Sequence, residues 1–218
     1  VKDRDIHSII RILRRHVPKW DTPIVTLMAE TYESPFRVLI SCILSLRTQD
    51  STTAKASHRL FAVADTPQAM LKLSAKKIEK LIFPVGFYKT KAKNILDICR
   101  TLIEQYAGNV PDDIDELLKL KGVGRKTANL VVTLGYNKPG ICVDTHVHRI
   151  SNRWGYITTS TPEKSEFALR AKLPKQYWIE YNDLLVSFGQ HLCRPISPVC
   201  SQCPVRKYCS QIGVTVRR

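Results

Sequence analysis

The segment Leu120-Lys121-Gly122-Val123-Gly124-Arg125-Lys126-Thr127-Ala128-Asn129 constrains this chain more than any other. It joins two apolar runs, IDELLKL and KTANLVVTLGY, whose periodicity suits helices rather than strands. Glycines on either side of Val123 allow a tight turn between them, since a residue without Cβ tolerates positive φ and close approach. The turn also offers backbone N–H groups at the start of the second helix, where the helix dipole favours an anion. An ordinary helical hairpin is the plainer reading. Lys121, Arg125 and Lys126 tip the balance towards a phosphate contact, made by the backbone at Gly122, Val123 and Gly124.

The remaining chain reads in the same helical register. Ile6, Ile9, Ile10, Leu13 and Val17 form one apolar stripe, with Arg11, Arg14 and Arg15 left for the opposite face. Ser34-Pro35-Phe36 opens a second helix that continues through Leu39, Ile40, Ile43 and Leu44. Further helices are expected at 51–62, 67–72, 75–82, 89–106, 113–120, 126–135, 145–154, 162–171 and 176–189. Gly and Pro punctuate between them, and no run of alternating strand character appears. The fold class expected is all-α.

Charge narrows the partners. Lys and Arg number 34 against 19 Asp and Glu, a formal net charge of +15. Such a surplus favours a polyanion, because neutralising phosphates releases condensed counterions. No apolar run approaches the ~18–20 residues of a spanning helix, so no membrane partner is expected. The N-terminal stretch VKDRDIHSIIRILRRHVPKW has no apolar core of a secretory signal. An intracellular protein is expected, in the cytoplasm or nucleoid if the source is a prokaryote. In a reducing compartment the seven cysteines point to metal or redox chemistry before disulfides.

Cys193, Cys200, Cys203 and Cys209 follow the spacing C-x6-C-x2-C-x5-C. Four thiolates so close suit one tetrahedral or cubane site, and spacing alone leaves zinc open. Cys42, Cys99 and Cys142 lie in apolar segments and read as core packing. Asp144, in Val143-Asp144-Thr145-His146, reads on its own as a helix N-cap, and Lys126 as a phosphate contact on a helix face.

Taken together, SPFRVLISCILSLRTQD, VGFYKTKAKNI, LKGVGRKTANLV, VDTHVHRISNRWG and the C-terminal cysteines resemble the endonuclease III family of the helix-hairpin-helix DNA glycosylase superfamily. The resemblance covers most of the chain. It implies a bifunctional DNA glycosylase/AP lyase of base excision repair, removing oxidised pyrimidines from duplex DNA and acting as a monomer. It implies Lys126 as the nucleophile, Asp144 as its catalytic partner, and a [4Fe–4S] cluster on Cys193, Cys200, Cys203 and Cys209. It implies two lobes around a DNA cleft, with Lys126 and Asp144 facing each other across the junction. A six-helix barrel domain would span 28–138 with the hairpin at about 113–135, and an iron–sulfur domain would combine 1–27 with 139–218. Arg47 and Phe87 align with the residues that fill the hole left by a flipped base. Asp50 would cap the helix after the Arg47 loop. His146 and Arg194 are further DNA contacts, although the loop from Arg194 to Val199 carries less charge than the family pattern. Two other readings share much of this evidence: a non-catalytic iron–sulfur DNA-binding regulator, and a glycosylase for alkylated or mismatched bases.

Overall fold

The computed structural model of the chain describes residues 1–16 and 34–218. The chain forms two compact units, one of residues 1–23 with 139–218 and one of residues 24–138. Helices make up the regular structure of both, and no strand occurs among the described residues. No helix among them is long and apolar enough to cross a membrane.

In the unit of residues 24–138 the helices are α2 (Pro35–Ser45), α3 (Asp50–Phe61), α4 (Pro67–Leu71), α5 (Ala75–Ile82), α6 (Tyr88–Tyr106), α7 (Ile114–Leu118) and α8 (Arg125–Leu130). Their starts follow from residue chemistry. Ser34, Thr66, Ser74 and Asp113 each accept a hydrogen bond from an N–H of the first turn, and Pro35 and Pro67 occupy first-turn positions that need no donor. Helix α3 departs from expectation. Asp50 is its first helical residue, and the cap is Gln49, which makes no side-chain bond. The second hairpin helix also differs: α8 runs into a π-helical turn, Val131–Gly135. Helix α2 is buried along nearly all its length, including Leu39, Ile40, Cys42, Ile43 and Leu44, and packs on α3, α8 and the π turn.

The other unit is built from α1 (Ile6–His16), α9 (Thr145–Arg153), α10 (Pro162–Lys172) and α11 (Trp178–His191). Ile6, Ile9, Ile10 and Leu13 of α1 are fully buried, and Val17, expected on the same stripe, lies outside the described residues. They join Trp154, Tyr156, Tyr181, Leu185 and Phe188 in one core. Each such side chain contributes roughly 1.5–3 kcal/mol by leaving water. On the outer face Arg14 makes a two-pronged bond to Glu180 of α11, at 2.8 and 2.5 Å. The segment from Cys193 onward has only two short 3₁₀ turns, Cys200–Gln202 and Arg206–Tyr208.

Candidate active site

The hairpin turn is closed by the Val123 N–H donating to the Leu120 carbonyl at 3.1 Å. Gly122 is its third residue, at φ +79°, the left-handed region that type II turns reserve for glycine. A Cβ there would also meet Asn94 Nδ2 at 2.9 Å. Gly124 is different. It caps α8 with extended backbone, φ −103° and ψ 175°, and an added Cβ would meet nothing within 4 Å. The turn therefore needs Gly122, while Gly124 leaves open space above the helix start. At Val123 the side chain is buried and the N–H is used inside the turn.

The cations around the turn are not equivalent. Lys121 Nζ is bonded to Asp97 Oδ2 at 2.8 Å, and this pairing with Arg100 beside it holds the Asp97 carboxyl below the usual carboxylate range. Arg125 is half-buried and Lys126 exposed, both on the first turn of α8. The charge of Lys126 reaches the Cys42 thiol of α2. Burial is the stronger influence there and pushes that thiol up to about 12.

Arg47 and Phe87, forty residues apart in sequence, lie together in the fold. The Arg47 guanidinium stands 5.6 Å from the centre of the Phe87 ring. Phe87 is 62 % exposed and so lies outside the core. Both have left-handed backbone, φ +53° and φ +57°, unusual for residues with side chains. Gly86 permits the approach, because a Cβ on it would meet the Arg47 carbonyl oxygen at 2.6 Å. Lys91, which sequence reading passed over, is 6 % exposed and donates to the carbonyls of Leu44 and Leu46 and to Thr48 Oγ1.

In the other unit Asp144 is the N-cap of α9. Its Oδ1 accepts from the N–H groups of His146 and Val147 at 2.8 and 2.9 Å. The His146 ring is half-buried, with Nδ1 3.1 Å from Arg149 Nη2. Gly189 of α11 makes room for it, since a Cβ there would meet His146 Nδ1 at 2.4 Å. Arg149 also donates to the Cys193 carbonyl at 2.8 Å, and burial pulls its guanidinium pKa down. The signal for this row was in the sequence as His146, Arg149 and Arg153, spaced to share one face of a helix.

Cys193, Cys200, Cys203 and Cys209 line one pocket of about 380 Å3, mouth included, with Trp154, Phe188 and Leu192 in its walls. Among the described residues no group of three or more His, Cys, Asp and Glu is placed to hold a metal ion. Burial raises the thiols of Cys193, Cys203 and Cys209, that of Cys203 to about 12. Donors oppose this: Arg153 Nη1 lies 3.7 Å from Cys193 Sγ, and the Gln211 N–H 3.3 Å from Cys209 Sγ. Arg153 further donates to the carbonyls of Arg194 and Pro195, each at 2.6 Å, and so shapes the loop between the first two cysteines. Arg194 itself is exposed. Cys42, Cys99 and Cys142 are buried.

Residues 40–175 match the family model of the HhH-GPD superfamily base excision DNA repair proteins. Endonuclease III of Thermotoga maritima is 50% identical over 175 residues, which are 80% of this chain and 82% of that protein. A solved non-covalent endonuclease III–DNA complex is similar at a TM-score of 0.86 and 34% identity, covering 97% of this chain and 96% of that one. A trapped endonuclease III–DNA covalent intermediate, the estranged-adenine complex, matches at the same TM-score and identity over 97% of both chains. On this sequence and structural agreement, the chain belongs to the endonuclease III family of the HhH-GPD superfamily of base excision repair proteins.

Proposed function

We propose that this chain is a bifunctional DNA glycosylase/AP lyase of base excision repair that removes oxidised pyrimidines from duplex DNA. One observation carries the reading: an exposed lysine, Lys126, stands on the first helical turn after the Gly122–Gly124 turn, in a chain whose relative has been trapped covalently on DNA. The Lys126 amine attacks C1′ of the damaged nucleotide while the C1′–N bond breaks and its electrons leave with the base. Positive charge grows on the sugar in that step, and the Asp144 carboxylate stabilises it. The bound amine gives up a proton and the C1′–O4′ bond opens, with O4′ taking a proton, which leaves an iminium at C1′ that acidifies C2′. Loss of the C2′ proton then expels the 3′ phosphate by β-elimination.

Binding precedes that chemistry. The open space over Gly124 lets a DNA phosphate approach the start of α8. Arg47 and Phe87 are proposed to enter the stack where the damaged base leaves, and their exposure and mutual contact support this. His146 is a weaker candidate for touching DNA, since its ring faces Arg149 and α11. Cys193, Cys200, Cys203 and Cys209 would hold a [4Fe–4S] cluster. When bound, it supplies covalent ties between segments that otherwise have little regular structure. The proposed domains are a barrel domain at 28–138 and a cluster domain of 1–27 with 139–218; the division of the chain at Lys138 and Pro139 supports them.

The test is incubation with an abasic-site duplex in the presence of a magnesium chelator. Nicking is expected. A protein that binds the duplex tightly and leaves it intact would instead be the non-catalytic regulator.

A further inference from the structure

Among the described residues two charged side chains that the reaction does not use are buried, Glu166, which pairs with Arg170, and Lys91. Lys91 lies in the first turn of α6, immediately after the Phe87 cap, and its backbone N–H bonds the Phe87 carbonyl at 3.0 Å. Its ammonium has three donors, and each finds an acceptor: the Leu44 carbonyl at 2.9 Å, the Leu46 carbonyl at 2.5 Å and Thr48 Oγ1 at 3.2 Å. The two carbonyls end α2, where the helix dipole attracts a cation. Thr48 Oγ1 also accepts from the Gly86 N–H at 3.1 Å. Lys91 and Thr48 thus tie three pieces of chain together: the end of α2, the turn that carries Arg47 and the turn that carries Phe87.

We infer that Lys91 is a positioning residue, which fixes the Arg47 and Phe87 turns against each other so that both can enter DNA together. The inference rests on the proposed role of those two residues in base flipping. The two turns are poor at holding themselves. Arg47 and Phe87 both have left-handed backbone, and the cap at Phe87 makes no side-chain bond. Such a conformation persists only where surrounding bonds over-determine it. Thr48 makes one more bond, to the Leu46 carbonyl at 3.2 Å, which completes the tie. Among the described residues Lys91 touches no carboxylate, and its charge is met by these oxygens.

The effect should fall on the step that needs both turns. Lys91→Met keeps an unbranched side chain only one atom shorter and removes all three donors. Thr48→Val keeps its shape and cuts the bridge to Gly86, and Thr48→Ser keeps the bridge. For each folded variant three quantities are measured. They are single-turnover excision of thymine glycol paired with adenine, nicking of a preformed abasic site, and the fluorescence rise of a 2-aminopurine placed beside the lesion. A misplaced group costs up to about 10²-fold in rate. Lys91→Met and Thr48→Val are expected to slow excision at least about tenfold and reduce the fluorescence rise, with nicking of the abasic site within about threefold. Thr48→Ser should behave as the native chain. Loss of excision and nicking in equal proportion, or no loss of either, would overturn the inference. Should Lys91→Met fail to fold, Thr48→Val against Thr48→Ser still decides. If the native chain itself cannot nick the abasic site, the functional reading fails, and this inference falls with it.

Discussion

At the scale of single residues, one side chain can carry two roles. Asp144 is an N-cap by geometry, and the role proposed for it is that of a catalytic carboxylate. Asn caps helices about as well as Asp, since the amide oxygen can accept the same two N–H bonds. Asp144→Asn should therefore melt near the native temperature while single-turnover excision falls about 10²–10⁴-fold. Equal activity in a stable Asn variant would leave only the cap. The two hairpin glycines divide similarly. Gly122→Ala strains a residue at φ +79° and should cost roughly 1–2 kcal/mol in denaturant unfolding. Gly124→Ala should cost less than about 1 kcal/mol, yet weaken binding to every duplex, damaged or not. Burial lowers Lys91 to about 8 from its ordinary 10.5. The unfolded chain then holds more protons than the folded one between those values, so this group's contribution to stability rises with pH from about 8 to 10.5 and is lost as pH falls back through that window. Subtracting the pH profile of Lys91→Met from that of the native chain should expose the rise. A flat difference would mean that Lys91 is not desolvated.

At the scale of elements, most helices were legible, because their ends are written in local chemistry. Ser34-Pro35, Thr66-Pro67, Ser74, Asp113, Asp144 and Thr161-Pro162 all cap the helices they precede. The failures have physical reasons. Asp50 looked like a cap, but Gln49 takes that position and Asp50 enters the helix, where its charge suits the first turn. The π turn at Val131–Gly135 was illegible, since one extra residue per turn barely alters an apolar run. Nothing in the local sequence marks Lys91, and only the tertiary fold reveals the oxygens around it. The left-handed backbone at Arg47 and Phe87 has no signature in their own side chains. For the cysteine segment the pattern gave the residues, and the structure adds Arg153 as the donor that shapes their loop. Anaerobically purified protein should contain iron and acid-labile sulfide near four each per chain. Zinc at one per chain would refute the cluster. Cys200→Ser should lose iron and destabilise the tail.

At the scale of the whole molecule, the net charge of +15 sets how the chain meets DNA before any chemistry. Affinity for undamaged duplex should fall linearly on a log–log plot against salt, with a slope of about −0.9 per phosphate neutralised. Lys121 is held by Asp97, an exposed pair worth no more than about 1 kcal/mol, so a phosphate can compete for it. Asp97→Asn should accordingly tighten nonspecific binding at low salt, and no change would mean that Lys121 lies outside the interface. Once the chain is on DNA, the proposed chemistry depends on the amine of Lys126. The direct measurement is borohydride reduction during reaction with an abasic or thymine-glycol duplex, followed by denaturing electrophoresis. The native chain should yield a covalent protein–DNA adduct, and Lys126→Gln should yield none while still binding the duplex. An adduct formed by Lys126→Gln at the native rate would place the Schiff base on another amine and contradict the assignment.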